Sequence, residues 1–115
     1  MLVRSDLGMN AGKAASQASH AALDAYLQAL ALDPTLCEEY KDKHHGIKVC
    51  LAVDSLDKLL LAESKAKQLN LPNALIHDLG YTCFEGQLTI TALGIGPVRK
   101  DQIKSIVGSM PLFKS

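Results

Sequence analysis

The stretch IKVCLAVDSLDKLLLAESKAKQLNLPNALIHD, residues 47–78, decides the fold. Ile47 to Val53 alternates apolar side chains as a buried strand does. Asp54-Ser55 follows with a side chain able to cap a helix, and Leu56, Leu59, Leu60, Ala66 and Leu69 then recur on one helical face. Leu71-Pro72-Asn73 breaks that helix, and Ala74 to Asp78 is a short apolar strand. Strand, helix and strand in this order belong to an α/β architecture.

Working outward, Met1 to Ser5 reads as a short strand and residues 8–12 as a loop. An Ala-rich helix runs from Lys13 to about Leu32, ended by Asp33-Pro34, with a short helix over Thr35 to Asp42 and a turn at Lys43-His44-His45-Gly46. Downstream come a Gly-containing loop from Leu79 to Gln87, a strand from Leu88 to Ile95, a Gly96-Pro97 turn, a helix from Lys100 to Val107 and a Leu112-Phe113 tail. The last two strands are joined most simply as a hairpin. The predicted fold is one three-layer α/β/α domain over residues 1–115, with a mixed four-stranded sheet between helices.

Composition agrees with that and narrows the function. Of 115 residues 48% are apolar, enough for a core without staples. Leu (19) and Ala (14) dominate while aromatic residues make up 4%, so modules that stack bases on exposed rings are excluded. Twelve basic residues face 12 acidic ones, and each half of the chain is balanced, so any polyanion site must be local. Leu88 to Val98, the longest uncharged apolar-looking stretch, is too short to cross a bilayer, and no charged-then-apolar signal opens the chain. Three cysteines without CxxC spacing point to a reduced, cytoplasmic protein.

Two places carry chemistry. At 100° per residue, Lys13, Gln17, His20 and Asp24 fall within an arc of about 60° on the first helix. They form either a solvated face or an anion-receiving edge. Lys13 sits in the first turn, where the macrodipole disfavours a cation, and Gly12 precedes it; both fit a site where the ammonium and free N–H groups meet an anion together. The second place is Ile76-His77-Asp78-Leu79-Gly80-Tyr81-Thr82, which sets Asp78 at the carboxyl end of a strand, the edge where open α/β sheets bind ligands. Its plain alternative is a turn in which Asp78 bonds its own backbone.

Other clusters are weaker. His44, His45 and His77 lack a helical HxxxH spacing, and adjacent histidines do not face one ion from a regular element, so no metal and no cofactor is expected. Cys83 near His77 has no third member of a nucleophilic set. Lys41, Lys43 and Lys48 read as a solvated turn, and Arg99, Lys100 and Lys104 as a solvated helix start.

Taken together, Ser5-Asp6-Leu7, the run from Met9-Asn10-Ala11-Gly12-Lys13 through Gln17 and His20 to Ala22, Asp78-Leu79-Gly80-Tyr81-Thr82 and Leu93-Gly94-Ile95-Gly96-Pro97 resemble the archaeal and eukaryotic type of peptidyl-tRNA hydrolase over nearly the whole chain. The resemblance implies a metal-free hydrolase that cleaves the ester between a peptide and the 3′ ribose of tRNA, often as a homodimer. It puts Lys13, His20, Asp78 and Thr82 in catalytic positions, and Gly12, Gln17 and Tyr81 among the substrate-binding ones. The family usually has additional lysines in the loop where this chain has Gly8 and Ala11. It usually reads Ala-Gly-Arg-Thr-Gln where this chain reads Leu79-Gly80-Tyr81-Thr82-Cys83. The catalytic set is kept and the tRNA-gripping set is thinned. The resulting expectation is hydrolysis at the acceptor end of peptidyl-tRNA. The alternatives are a noncatalytic binding or scaffold protein on the same fold, and a hydrolase of a less anionic acyl ester.

Overall fold

The computed structural model describes residues 1–79 and 87–114. In chain order the elements are β1 (Leu2–Arg4), α1 (Ala11–Leu32), α2 (Pro34–Asp42), β2 (Leu51–Val53), α3 (Leu56–Gln68), β3 (Asn73–Asp78), β4 (Thr89–Ile95) and α4 (Lys100–Val107). The four strands form one sheet in the order β2-β1-β4-β3. β1 and β2 are parallel, while β4 is antiparallel to both β1 and β3, so the sheet is mixed and β3 and β4 are the expected antiparallel neighbours.

Pleat alternation sorts the core into two halves. Val3, Ile76 and Ala92 face α1, which covers one side with Ala14, Ala18 and Ala21. Leu2 and Leu93 face the other way, onto Leu59, Ala62 and Ala66 of α3 and Ile106 of α4. Apart from Gln17, the residues of α1 that are buried are all alanines, so its backbone can lie close on the sheet. Gly94 completes that fit: a Cβ there would stand 2.0 Å from the Ala21 carbonyl oxygen and 3.0 Å from the Ala25 Cβ.

Local signals set the helix ends. Asn10 caps α1, its side-chain oxygen accepting from the Lys13 N–H at 2.8 Å, so the helix starts two residues before the expected Lys13. Asp33 closes α1 and caps α2, accepting from the Leu36 N–H at 3.1 Å, with Pro34 in the first turn where its missing N–H costs nothing. Ser55, not Asp54, caps α3. That helix ends before the Pro-containing segment: Asn70 takes a left-handed φ of 56°, and the Leu71 N–H closes back on the Ala66 carbonyl at 2.9 Å.

One strand is shorter than its alternation predicts. Residues 47–50 lie outside β2, which is Leu51–Val53 alone. β1 is the strand that pairs with β2, and it does so over three residues, Leu2↔Leu51 to Arg4↔Val53. Alternation without a pairing partner leaves Ile47 and Val49 exposed. The other edge of β2 is taken by the C-terminal tail: Leu112 bridges Leu51, the Ala52 N–H donates to the Pro111 carbonyl and the Phe113 N–H to that of Cys50. The tail thus shields an edge that would otherwise be open.

Candidate active site

β1, β2 and β3 all point their carboxyl ends to one edge of the sheet, and the loop from Arg4 brings the start of α1 to the same edge. Asp78 is the last residue of β3, and Lys13 lies in the first turn of α1. They meet there. Lys13 Nζ is 3.1 Å from Asp78 Oδ2, with the two side chains 12% and 14% exposed. Oδ2 is buried and makes no well-aligned hydrogen bond among the described residues, so its contact with the ammonium is chiefly electrostatic. An ion pair this sheltered is held more strongly than a surface pair, and both side chains keep a little exposure to solvent.

Gln17, one turn beyond Lys13, is buried rather than presented to solvent. Its Oε1 accepts from the hydroxyl of Thr91, a fully buried residue of β4, at 2.5 Å. The pair ties the site-bearing flank of α1 to the centre of the sheet and fixes how far Lys13 stands from β3. Sequence reasoning missed Thr91. A Thr within an alternating strand reads as solvent-facing, and only the central place of β4 buries both faces.

His20 is exposed on α1 and makes no hydrogen bond or ion pair among the described residues. It shares the Lys13 flank, about 10 Å further along the axis at 1.5 Å per residue. Gly12 is exposed with open space where a Cβ would stand, its nearest neighbour being Asn10 Oδ1 at 3.6 Å, so sterics do not require a glycine there. As the second residue of α1, it and Ala11 offer N–H groups that the helix does not use. Thr82, Tyr81 and Cys83 lie outside the described residues.

Of the competing constellations, the one that rests on Cys83 lies outside the described residues. Among the described residues no three His, Cys, Asp or Glu side chains gather as a metal-holding group. His44 instead stands 3.6 Å from Glu39 on α2. Burial pushes the thiols of Cys37 and Cys50 up from their ordinary values, away from nucleophilic reactivity. Among the described residues no helix is long and apolar enough to cross a membrane.

Comparison with known proteins bears on the whole chain. The family model for "Peptidyl-tRNA hydrolase PTH2" matches residues 1–113. The chain is 36% identical to a peptidyl-tRNA hydrolase of Saccharolobus solfataricus, over 98% of this chain and 96% of that protein. It is 40% identical to one of Sulfurisphaera tokodaii, over 98% and 95%. Similarity to a probable peptidyl-tRNA hydrolase 2 of Schizosaccharomyces pombe, at 38% identity, covers 98% of this chain and 54% of that longer protein.

Proposed function

The chain belongs to the peptidyl-tRNA hydrolase PTH2 family, and from that premise we propose how its own residues cleave the ester between a peptide and the 3′ ribose of tRNA. The Lys13–Asp78 pair is the observation that carries the assignment of roles, because it puts a cation and a carboxylate at the ligand-binding edge of the sheet. Water adds to the ester carbonyl carbon, and Lys13 stabilises the negative charge that develops on the carbonyl oxygen. Asp78 holds the ammonium in place and positions the attacking water, whose proton it can accept. The carbon–oxygen bond to the ribose then breaks, and the ribose oxygen takes up a proton as the peptide leaves as a carboxylate.

His20 is assigned to that leaving hydroxyl or to the tRNA end, in keeping with its exposure on the Lys13 flank. Thr82 and Tyr81 are assigned by family position to the water and the acceptor end. Gln17 is assigned to positioning through Thr91 rather than to direct contact, because its Oε1 is already engaged. The unused N–H groups of Ala11 and Gly12 suit a phosphate of the acceptor end. The mechanism asks no metal of these residues.

The test is release of free peptide from N-blocked aminoacyl-tRNA in low salt with EDTA, comparing the chain with Asp78→Ala and Lys13→Ala. Turnover surviving chelation and falling by ~10²-fold or more in kcat in each variant is expected. Near-normal turnover in either folded variant removes that residue from the mechanism.

The cytoplasm, where translation generates peptidyl-tRNA, is the proposed compartment. A homodimer is the proposed assembly, supported by Leu27 and Leu30, which α1 leaves 53% and 41% exposed on its outward face. Light scattering across a concentration series tests it, and a constant monomer mass sinks it.

A further inference from the structure

On the flank of α1 opposite Lys13, a cavity of about 1040 Å³ opens between α1, α2, the turn before β2 and the segment that runs from the end of β4 into α4. Its floor is apolar: Ala18, Ala25 and Gly94 are buried, and Leu51, Ile95 and Val98 half-buried. Its mouth is cationic. Lys41, Lys48, Arg99 and Lys100 line it and are all exposed, against Glu39 as its one lining carboxylate. Glu39 is already shared between Arg99, 3.7 Å away, and His44, 3.6 Å away. Lys48 donates to the Gly46 carbonyl at 2.9 Å and stands over the Tyr40 ring, 5.5 Å from its centroid. Lys41 and Lys100 have no ion-pair partner among the described residues. In sequence these cations are two separate solvated runs in a chain of zero net charge; the fold gathers them around one opening.

We propose that this cavity binds a single-chain anionic amphiphile, a long-chain fatty carboxylate, with its hydrocarbon on the apolar floor and its head among Lys41, Lys48 and Lys100. The volume is at the upper end for small-molecule pockets, roughly 300–1,000 Å³, so one extended chain fits. Both halves of the lining enter the choice. A polyanion would use the rim and leave the floor wet, and a neutral hydrocarbon would use the floor and leave the cations without a partner. A second copy docked patch to patch about a two-fold axis would set cations against cations. The site is separate from the Lys13–Asp78 pair and does not depend on the roles proposed there.

The probe is dodecanoate below its micellar concentration, titrated calorimetrically into the full chain, with dodecyltrimethylammonium as the control of opposite head charge. One-to-one saturable binding is expected, at least tenfold tighter for the carboxylate than for the ammonium. The exposed double variant Lys41→Glu/Lys100→Glu is expected to weaken dodecanoate at least tenfold while leaving peptide release from N-blocked aminoacyl-tRNA unchanged. Ala22 of α1, half-buried, also lines the cavity, and Ala22→Phe should abolish binding by filling it with a ring. Absence of saturable binding overturns the proposal, as does equal affinity for the two head groups or an unaltered affinity in the folded double variant.

Discussion

Lys13 stands where a helix least welcomes it, in the first turn beside the positive end of the macrodipole, and it is largely removed from water. Asp78 makes that placement tolerable, and the two residues are 65 positions apart in sequence. Each was legible alone, one as a cation out of place and the other as a carboxylate at a strand end. Their meeting was legible only through the family resemblance, because it depends on β3 lying under α1. Gln17 shows the opposite failure: at the right angle to share the Lys13 stripe, it is turned inward to a Thr91 that no periodicity singles out. Thr91→Val keeps the shape and strands the buried Gln17 carbonyl, and is expected to cost about 1–3 kcal/mol, read from urea unfolding. A loss below about 0.5 kcal/mol would mean that the pair is satisfied by water and does not anchor the helix. Arg4 and Asp6 supply a pH-dependent contribution. The guanidinium holds the Asp6 carboxylate in two bonds of 3.0 and 2.7 Å and keeps its pKa below the ordinary value. A depressed carboxylate stabilises the fold above its unfolded pKa of about 3.9, and that contribution disappears as pH falls through the lower folded value. Asp6→Asn should therefore lose up to about 1 kcal/mol near pH 7 and lie closer to the parent near pH 3. A constant difference between the two pH values would contradict this assignment.

At the scale of elements, the packing of α1 onto β4 is the joint on which the site depends. The alanine face was plain in the sequence; that it presses against a glycine was not, because Gly94 in a strand reads equally well as a bulge. The absent side chain has a definite reason here, the Ala21 carbonyl oxygen 2.0 Å from where a Cβ would be. Gly94→Ala must push a backbone aside, and is expected to cost roughly 3 kcal/mol. In a domain of this size that lowers Tm by on the order of 10 °C. Peptide release should fall further than the unfolded fraction accounts for, because the displaced helix carries Lys13 away from Asp78. A Tm within 2 °C of the parent, by differential scanning calorimetry, would show that the helix can shift freely. The same scale explains the missed half of β2. Ile47 to Val53 alternates throughout, but alternation specifies only which way side chains point, and pairing with β1 extends over just Leu51 to Val53. α4, by contrast, begins and ends where its residues indicate, over Lys100–Val107, since its boundaries are local.

For the molecule as a whole, the question is how a neutral surface handles a polyanionic substrate. Twelve cations are matched by 12 carboxylates, and several cations have a carboxylate neighbour: Lys13 has Asp78, Arg4 has Asp6 and Lys58 has Asp54. Family membership was legible in the chain because the motifs sit at short range and in order. The strength of tRNA attachment is a sum over the folded surface, which no single motif discloses. Each phosphate neutralised contributes about −0.7 to the slope of log affinity against log salt for a single strand. A protein with six to ten such contacts loses ~10³–10⁵ in affinity between 50 and 200 mM salt. With two or three contacts, of which Lys13 and the start of α1 are the candidates, the slope should be no steeper than about −2 and the loss on the order of tenfold. The measurement is kcat/KM for N-blocked aminoacyl-tRNA across that salt range, with kcat recorded separately because Lys13 serves chemistry as well as attachment. A slope near −5 would mean that cations far from the site, those around the α1–α2 cavity included, hold the tRNA body; a shallow slope confines the grip to the acceptor end.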